Sequence, residues 1–466
     1  MKRIKLEITA LSPLAIAGKK PGSVSEAEDH IPGSVIRGAI ASHILQLSNQ
    51  QIPRIAEQNL SAGGGEFEAL FLGDEPAIFQ NAYPAVAKIA NKSILIDKKN
   101  PEQEKYDIIS QVVTDEVMVL PATAVSSKTD SGFKPKANGV FDTLIDRFCA
   151  DAYNYPYDPS DLKSLEDKTD ARVEPYSSFY SKTNDNKIKY QYRSHSVSTR
   201  FLTRVGINRQ RTTSQDDILY SIEVLNESFL SNPQGQNWHP VVYRSVIIVK
   251  NEELAKSLEQ FINDNSQLFR LGGATSRGLG KVKIKAKIED AVTNVADRIK
   301  EFNQKLEQRW QLWSVFGEPE NNLLKGRKYF TLNLQSDGIF TENWRRTTVI
   351  SPKMLCEFLG VDDEFAKLNP EAQNDFLKLE VAYSSYSYRS GWNSAWGLMK
   401  DIELVTNRGA VYLFSTNKQN EKKWKEKWTN KLLKLELQGV GERTSEGFGQ
   451  VQICNEFHNI FREQAV

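Results

Sequence analysis

The chain has 466 residues, and its 60 lysines and arginines nearly balance 59 aspartates and glutamates, leaving a net charge of +1. This balance excludes a protein that is basic throughout, so a nucleic-acid site must come from local clusters of positive charge. Three scattered cysteines and the lack of any run of about 18 apolar residues argue against structural zinc, disulfides and a membrane partner, and predict a cytoplasmic protein.

The N-terminal segment predicts a strand followed by a helix. Ile4, Leu6 and Ile8 alternate with polar residues, which is typical of a strand with one buried face. The sequence Ile-Pro-Gly-Ser-Val-Ile-Arg-Gly at 31–38 then leads into an apolar helix over 39–47. Unpaired N–H groups at a helix start attract phosphate, so this helix start could bind an anion, although Ser34 also suits a plain N-cap.

The middle of the chain alternates between strands and less regular segments. Strands are predicted over 117–120, 218–224 and 243–249, and a polar helix over 252–264. The hydrophilic segment 128–189 contains one predicted short helix over 141–152. We interpret this segment as a loop-rich insertion.

A basic stretch without any acidic residue extends from 186 to 215. Tyr190, Tyr192 and Phe201 lie among its cations, so the stretch could neutralise phosphates and stack bases. The alternative is a solvated surface hairpin. The cations are Lys187, Lys189, Arg193, Arg200, Arg204, Arg209 and Arg211.

One glycine-rich phrase occurs twice. Thr-Ser-Arg-Gly-Leu-Gly at 275–280 returns as Thr-Ser-Glu-Gly-Phe-Gly at 444–449, each time followed by an alternating strand, which indicates two related domains. Glycines let backbone N–H groups approach an anion, although such a loop can also be only a tight turn. After the first copy, Lys281, Lys283, Lys285 and Lys287 share one strand face, either to follow phosphates or to protect a sheet edge.

The second half repeats the mixed pattern. An apolar stripe predicts a helix from 290 onward, followed by strands over 329–334, 377–382 and 410–414 and a basic helix over 418–433 with Trp424 and Trp428 facing the core. The segment 383–400 is rich in aromatic residues. Within it, Tyr388 and Trp392 flank Arg389 and are predicted to stack unpaired bases.

Taken together, these segments resemble the RAMP superfamily of CRISPR-associated proteins. The resemblance rests on the first strand, the helix start at 31–38 and the glycine loop before a late strand. The chain is most similar to the large two-RAMP subunit of type III-D effector complexes of the cyanobacterial type. That likeness is carried by Leu11–Ile16, Ser25–Asp29, Gly391–Gly397 and Gly441–Gly449.

The resemblance implies an α+β fold with two ferredoxin-like domains of the RNA-recognition-motif type and a loop-rich insertion in the first. The expected division is a first RAMP domain over 1–289 with the insertion at about 128–189, a helical linker over 290–326, and a second RAMP domain over 327–466.

The implied function is that of an RNA-binding structural subunit of a type III CRISPR ribonucleoprotein in antiviral defence. It would hold guide RNA by its repeat-derived 5′ handle, meet target RNA and other effector subunits, and need no cofactor or metal. In such folds the glycine loop and the first helix start cradle the RNA backbone. Carried over to this chain, the helix-start positions are Ser34 and Arg37. The loop positions are Gly272, Gly273, Ser276, Arg277 and Gly280 in one half and Gly441, Arg443, Ser445 and Gly449 in the other.

Three alternatives remain open. His30 or His43 could act as the base of a guide-processing endoribonuclease, since histidine titrates near neutral pH. Asp29, two residues before Ile31, matches the position of the aspartate with which some RAMP subunits cleave target RNA. A protein scaffold that never touches RNA is the third.

Overall fold

The computed structural model describes residues 1–17, 26–51, 66–90, 108–185, 188–208, 210–232, 235–290, 294–317, 319, 322–393, 397–417 and 424–466. Within them the strands of the first 290 residues are β1 (Lys2–Ala10), β2 (Ile78–Phe79), β3 (Tyr83–Pro84), β4 (Val86–Ala90), β5 (Ile108–Val112), β6 (Met118–Val119), β7 (Ala124–Ser127), β8 (Val140–Asp142), β9 (Val173–Pro175), β10 (Phe179–Lys182), β11 (Tyr192–His195), β12 (Thr199–Asn208), β13 (Thr213–Leu225), β14 (Ser228–Leu230), β15 (Trp238–Pro240), β16 (Val242–Val249) and β17 (Val282–Asp290). The later strands are β18 (Arg327–Leu334), β19 (Phe340–Glu342), β20 (Arg345–Thr347), β21 (Lys378–Tyr383), β22 (Tyr386–Arg389), β23 (Trp392–Asn393), β24 (Leu398–Met399), β25 (Glu403–Thr406), β26 (Val411–Asn417) and β27 (Val451–Ile453).

The helices of the described ranges are α1 (Gly33–Gln51), α2 (Glu66–Phe71), α3 (Leu144–Ala152), α4 (Leu162–Glu166), α5 (Glu252–Asp264), α6 (Val295–Trp313), α7 (Pro352–Leu359), α8 (Asp362–Ala366), α9 (Pro370–Phe376) and α10 (Asn430–Gln438). A π-helical turn over Lys425–Thr429 precedes α10. No helix in these ranges has the length and apolar character needed to cross a bilayer.

The first large sheet is antiparallel, with the strand order β17-β1-β16-β2 and β3 alongside β16. Because β1 alternates, Ile4, Leu6 and Ile8 are buried on one face. That face packs against α1 and α5 through Ile36 and Leu258. The opposite face carries the charged residues of β1, β16 and β17.

The second large sheet has the order β21-β26-β18-β27, also antiparallel. The two orders correspond, because β27, β18, β26 and β21 follow one another in the second sheet as β17, β1, β16 and β2 do in the first. Unlike β1, β18 is buried from Tyr329 to Leu334, because α10 covers one face of the sheet and α6 and α3 cover the other. The mixed α+β class predicted from the sequence is confirmed.

The segment 128–189 contains more regular structure than its composition suggests. It contributes β8, β9, β10, α3 and α4. Phe148 of α3 lies in the core of the second half, with its ring centroid 5.5 Å from that of Tyr329. The segment therefore packs against the second half as well as the first.

Four predicted helix boundaries were wrong. The helix predicted from 290 onward begins at Val295, because β17 extends to Asp290. The first helix begins at Gly33, so Ser34 lies in its first turn and is not the N-cap. The helix predicted over 141–152 begins at Leu144, because 140–142 pairs with β7 as a strand. The helix predicted over 418–433 extends to Gln438. Its positions 418–423 lie outside the described residues, and Trp424 and Trp428 are buried as expected.

Candidate nucleic-acid interface

The first glycine loop, residues 270–280, is a tight bend clamped to the segment after β1. The N–H of Gly273 donates to the carbonyl of Ala15 at 2.8 Å, and the N–H of Gly280 donates to the carbonyl of Pro13 at 2.9 Å. A Cβ on Gly272 would lie 2.5 Å from the oxygen of Ala15, so only glycine permits this approach. The clamp leaves residues 275–278 exposed at the tip.

Cations without acidic partners surround this tip. The Arg277 guanidinium donates to the hydroxyl of Tyr220 at 2.7 Å, which orients it and leaves its charge unneutralised. Arg270 and Lys281 are exposed and Lys283 is half-buried. None of these four has an ion pair within the described ranges. Such a surface suits a phosphate backbone.

The remaining lysines of β17 are paired. Lys285 lies 4.0 Å from Glu7, and Lys287 lies 3.8 Å from Glu289. The four lysines share one face of the edge strand as predicted, but the uncompensated charge is confined to the two nearest the glycine loop. The predicted phosphate-binding face is thus limited to Lys281 and Lys283, whereas the sequence pattern suggested all four lysines.

The basic stretch contains cations in ion pairs and cations on the surface of the hairpin. Most of it forms the hairpin β12–β13, whose inner face packs against the first glycine loop. Arg193 pairs with Asp115 at 3.2 Å, and Arg200 pairs with Glu227. Arg204 lies opposite Tyr220 on the face toward the loop. Arg211 is exposed at the hairpin turn, and Arg209 lies outside the described residues.

The second glycine loop, residues 439–449, has the same backbone shape in a different place. Its Gly447 packs on the start of α1, and an added Cβ there would lie 2.7 Å from the Asn81 side chain. The N–H of Gly33 donates to that same Asn81 oxygen at 2.8 Å. Gly441 and Ser445 are half-buried, and Gly449 is buried. This loop therefore joins the two halves of the chain.

Glu446 supplies an internal anion at this joint. It pairs with Arg443 at 2.6 Å and lies 3.6 Å from Lys400. Burial by itself would raise the pKa of Glu446, but Arg443 and, more weakly, Lys400 and Arg37 lower it. Arg37 also donates to the carbonyl of Phe71 at 2.6 Å. The predicted RNA contacts Arg443 and Arg37 thus have protein partners already.

Two more arginines link the halves beside this loop. Arg389 pairs with Glu28 at 2.9 Å and with Asp337, and all three side chains are at most 16% exposed. Arg408 donates two hydrogen bonds to the carboxylate of Asp29, one of them 3.0 Å long. Its guanidinium lies 4.7 Å from the ring centroid of Phe179. Sequence reasoning missed Arg408 and Asp337. No local signal marks them, since Arg408 and Asp29 are 379 positions apart.

Asp29 is held as a carboxylate. Desolvation would raise its pKa, but the hydrogen bond to His30 and the charge of Arg408 outweigh it, and the pKa lies well below its usual value. A base with so low a pKa accepts a proton poorly at neutral pH. Ligand atoms of Glu28, Asp29 and His30 lie within 4.8 Å of one another, close enough to share a cation, but the two arginines already neutralise the carboxylates.

The other predicted residues fall into two environments. His30 is buried at the joint, 2.8 Å from Asp29, and His43 lies against Phe261 and Phe269. Tyr388 is 58% exposed on β22, and the backbone of Trp392 pairs with that of Met399. Ser276 is exposed at the tip of the first glycine loop. The exposed candidates therefore lie at the first glycine loop, at the turn of the β12–β13 hairpin and, for Tyr388, on β22.

The chain has low similarity to chains in several solved structures. At 10% identity the chain is similar to one in a cryo-EM structure of the Type III-B Cmr-beta bound to cognate target RNA and AMPPnP, with 88% of this chain and 86% of that chain covered and a TM-score of 0.35. It is similar at 13% identity to a chain of the Csm3-Csm4 subcomplex in the type III-A CRISPR-Cas interference complex, with 88% and 92% covered and a TM-score of 0.30. It is similar at 12% identity to Cmr4 from Pyrococcus furiosus, with 62% and 99% covered and a TM-score of 0.23.

At these identities and TM-scores the structural likenesses add nothing to a functional assignment. No curated protein matches the chain significantly. The sequence profile of the RAMP superfamily, however, matches residues 7–283, which include the first helix start, the first glycine loop and part of the first sheet. The chain belongs to the RAMP superfamily.

Proposed function

We propose that the chain is an RNA-binding structural subunit of a type III CRISPR effector, of the large two-RAMP kind found in type III-D complexes. In this proposal it acts in the cytoplasm beside other effector subunits and holds guide RNA by the repeat-derived 5′ handle. Each half is a ferredoxin-like domain, which the shared strand order of the two large sheets supports. The domain limits are those expected from the sequence.

One observation carries the RNA-binding role. The tip of the first glycine loop is exposed, and the cations Arg270, Arg277, Lys281 and Lys283 around it have no ion-pair partner in the described ranges. The exposed backbone of the loop and these side chains offer donors for phosphate oxygens.

The test is salt-dependent binding of a fluorescein-labelled single-stranded RNA by the full chain. Removing two cations with Arg277→Ala and Lys281→Ala is expected to weaken binding about tenfold or more. Each phosphate contact contributes about 0.7 to the steepness of the plot of log affinity against log salt concentration. The plot for this variant should therefore be less steep by about 1.4. The matched control is Lys285→Ala with Lys287→Ala on the same strand, where both lysines are paired to acids.

An unchanged slope in the loop variant, or equal losses in both variants, would contradict the assignment of the site. The guide-RNA role needs a second measurement, in which the chain is co-expressed with its partner subunits and a repeat-spacer array. RNA recovered through a tag on this chain should share one repeat-derived 5′ end. Random RNA would contradict the handle-binding proposal.

A further inference from the structure

Trp344 is the most exposed large apolar side chain among the described residues. It is 99% exposed, at the tip of the two-residue hairpin between β19 and β20. An indole fully in water forgoes the burial that normally stabilises tryptophan in a fold. Trp344 therefore contributes little to the stability of the isolated chain through packing.

The backbone at this tip is also unfavourable for tryptophan. Asn343 has φ 48° and Trp344 has φ 64°, so both turn residues are left-handed. Such a hairpin turn favours asparagine followed by glycine, because only glycine takes the second position without steric cost. Tryptophan here is thus a strained choice, and strain without a packing gain points to function.

The hairpin holds the ring on a rigid base. Phe340 at its start is buried, and Thr341 donates to Glu442 of the second glycine loop at 2.5 Å. Arg346 pairs with Glu442 at 2.6 Å and with Glu403 of β25 at 2.7 Å. A ring on such a base loses little conformational freedom when it binds a ligand.

The charge beside the ring favours a nucleic acid as the ligand. Arg345 is exposed, and within the described residues it has no ion pair. Lys353 lies 3.4 Å from the side chain of Asn343 at the same tip. An exposed ring flanked by cations matches what an unpaired base and its phosphates require.

We propose that Trp344 stacks on an unpaired base of the bound RNA, with Arg345 contacting an adjacent phosphate. This inference rests on the proposed RNA-binding function and adds a contact site on the second half, separate from the first glycine loop. It assigns the β19–β20 hairpin to the RNA surface.

The test uses the full chain and the same fluorescein-labelled single-stranded RNA. Trp344→Ala should weaken binding about 5-fold to 150-fold, the range for loss of one base stack, without changing the salt slope. Trp344→Phe keeps a ring and should stay within about threefold of the unaltered chain. Arg345→Ala should instead lower the salt slope by about 0.7.

Two controls separate stacking from structure. Trp344→Gly removes the strained turn residue, so it should fold at least as stably as the unaltered chain while losing RNA affinity. An RNA of the same length with abasic sugars should bind the unaltered chain and Trp344→Ala equally. Both results would support a base stack.

Other outcomes overturn the inference in distinguishable ways. If Trp344→Ala binds RNA normally while the Arg277 and Lys281 variant does not, the stacking site is wrong and the proposed function stands. If the unaltered chain binds no RNA, both fail. If Trp344→Ala keeps its RNA affinity but loses a protein subunit on purification, the hairpin is a protein-docking element.

Discussion

The two glycine loops have the same backbone and opposite surroundings. Ala274 and Arg443 take the same left-handed conformation, with φ 54° and 56°, and each is followed by a short 3-10 turn and a left-handed glycine. Yet the tip of the first loop faces solvent, whereas the second packs on the start of α1. The repeated sequence motif thus determines the backbone conformation of both loops but not what surrounds them.

One position in the repeat accounts for much of this difference. The third residue of the phrase is Arg277 in the first loop and Glu446 in the second. Arg277 contacts Tyr220 of the neighbouring hairpin, and Glu446 lies near Lys400, directly after β24. The first loop therefore keeps a free positive charge, while the second neutralises its own cations and serves as a joint.

The joint should depend most strongly on Arg389, which lies between two carboxylates. Arg389→Met would leave Glu28 and Asp337 buried without their cation, at a cost of about 3–5 kcal/mol of unfolding free energy. Arg277→Met in the exposed loop should cost less than about 1 kcal/mol. Urea unfolding of the two full-length variants measures the difference, and equal midpoints would mean that the joint is not a stabilising contact.

Equivalent glycines in the two loops give the next largest contrast. Gly278 and Gly447 both have positive φ, so alanine costs about 1 kcal/mol at either position from backbone strain. At Gly447 the new methyl would also meet the Asn81 side chain at 2.7 Å and the Phe79 carbonyl at 2.9 Å, whereas at Gly278 it meets nothing within 4 Å. We expect a total cost of about 3 kcal/mol for Gly447→Ala.

Thermal or urea unfolding of both alanine variants provides the measurement. A further reference is Gly38→Ala in α1, where the added methyl has open space and alanine should stabilise the helix by about 0.5–1 kcal/mol. If Gly278→Ala and Gly447→Ala are equally costly, the second loop is not tightly packed against the first half.

The Asp29–Arg408 pair should make a smaller, pH-dependent contribution. Its lowered pKa means that the pair stabilises the fold above the ordinary carboxyl pKa of about 4 and loses that effect as the pH falls toward the folded-state value. Because Asp29 is half-exposed, Asp29→Asn should cost only about 1 kcal/mol at pH 7.

Urea unfolding of Asp29→Asn and the unaltered chain at pH 7 and again near pH 3 tests the sign. The difference in unfolding free energy between the two proteins should shrink at the lower pH. The reason is that Asp29 of the unaltered chain takes up a proton at a higher pH in the unfolded state than in the folded state. A difference that grows on acidification would show that Asp29 is not stabilised as an anion.

Much of the secondary structure followed from residue patterns. The alternation of Ile4, Leu6 and Ile8 predicted β1, and the helix over 252–264 was correctly placed because Asn251 caps it and its apolar residues recur at helical spacing. The predictions were poorer over 128–189. There the burial of Phe148 depends on contacts with the second half, which no local pattern records.

The candidate site was only partly predictable for a similar reason. The sequence identified Arg277, Arg389 and Arg443 as cations beside glycines or aromatic residues, but it did not identify their partners. The structure places Arg389 between acids and Arg443 beside Glu446, and it leaves Arg277 without an acid. It also exposes Trp344, which has no distinguishing pattern around it.

By itself the sequence determined the alternating strands, the amphipathic helices and the twin backbone of the glycine loops, because these depend on side-chain periodicity and on glycine conformations within a few residues. Only the tertiary structure decided which cations remain available. An arginine is neutralised or left free by residues hundreds of positions away, as Arg389 is by Glu28, 361 positions earlier in the chain. Charge pairing is a property of distance in space, and the fold alone sets that distance.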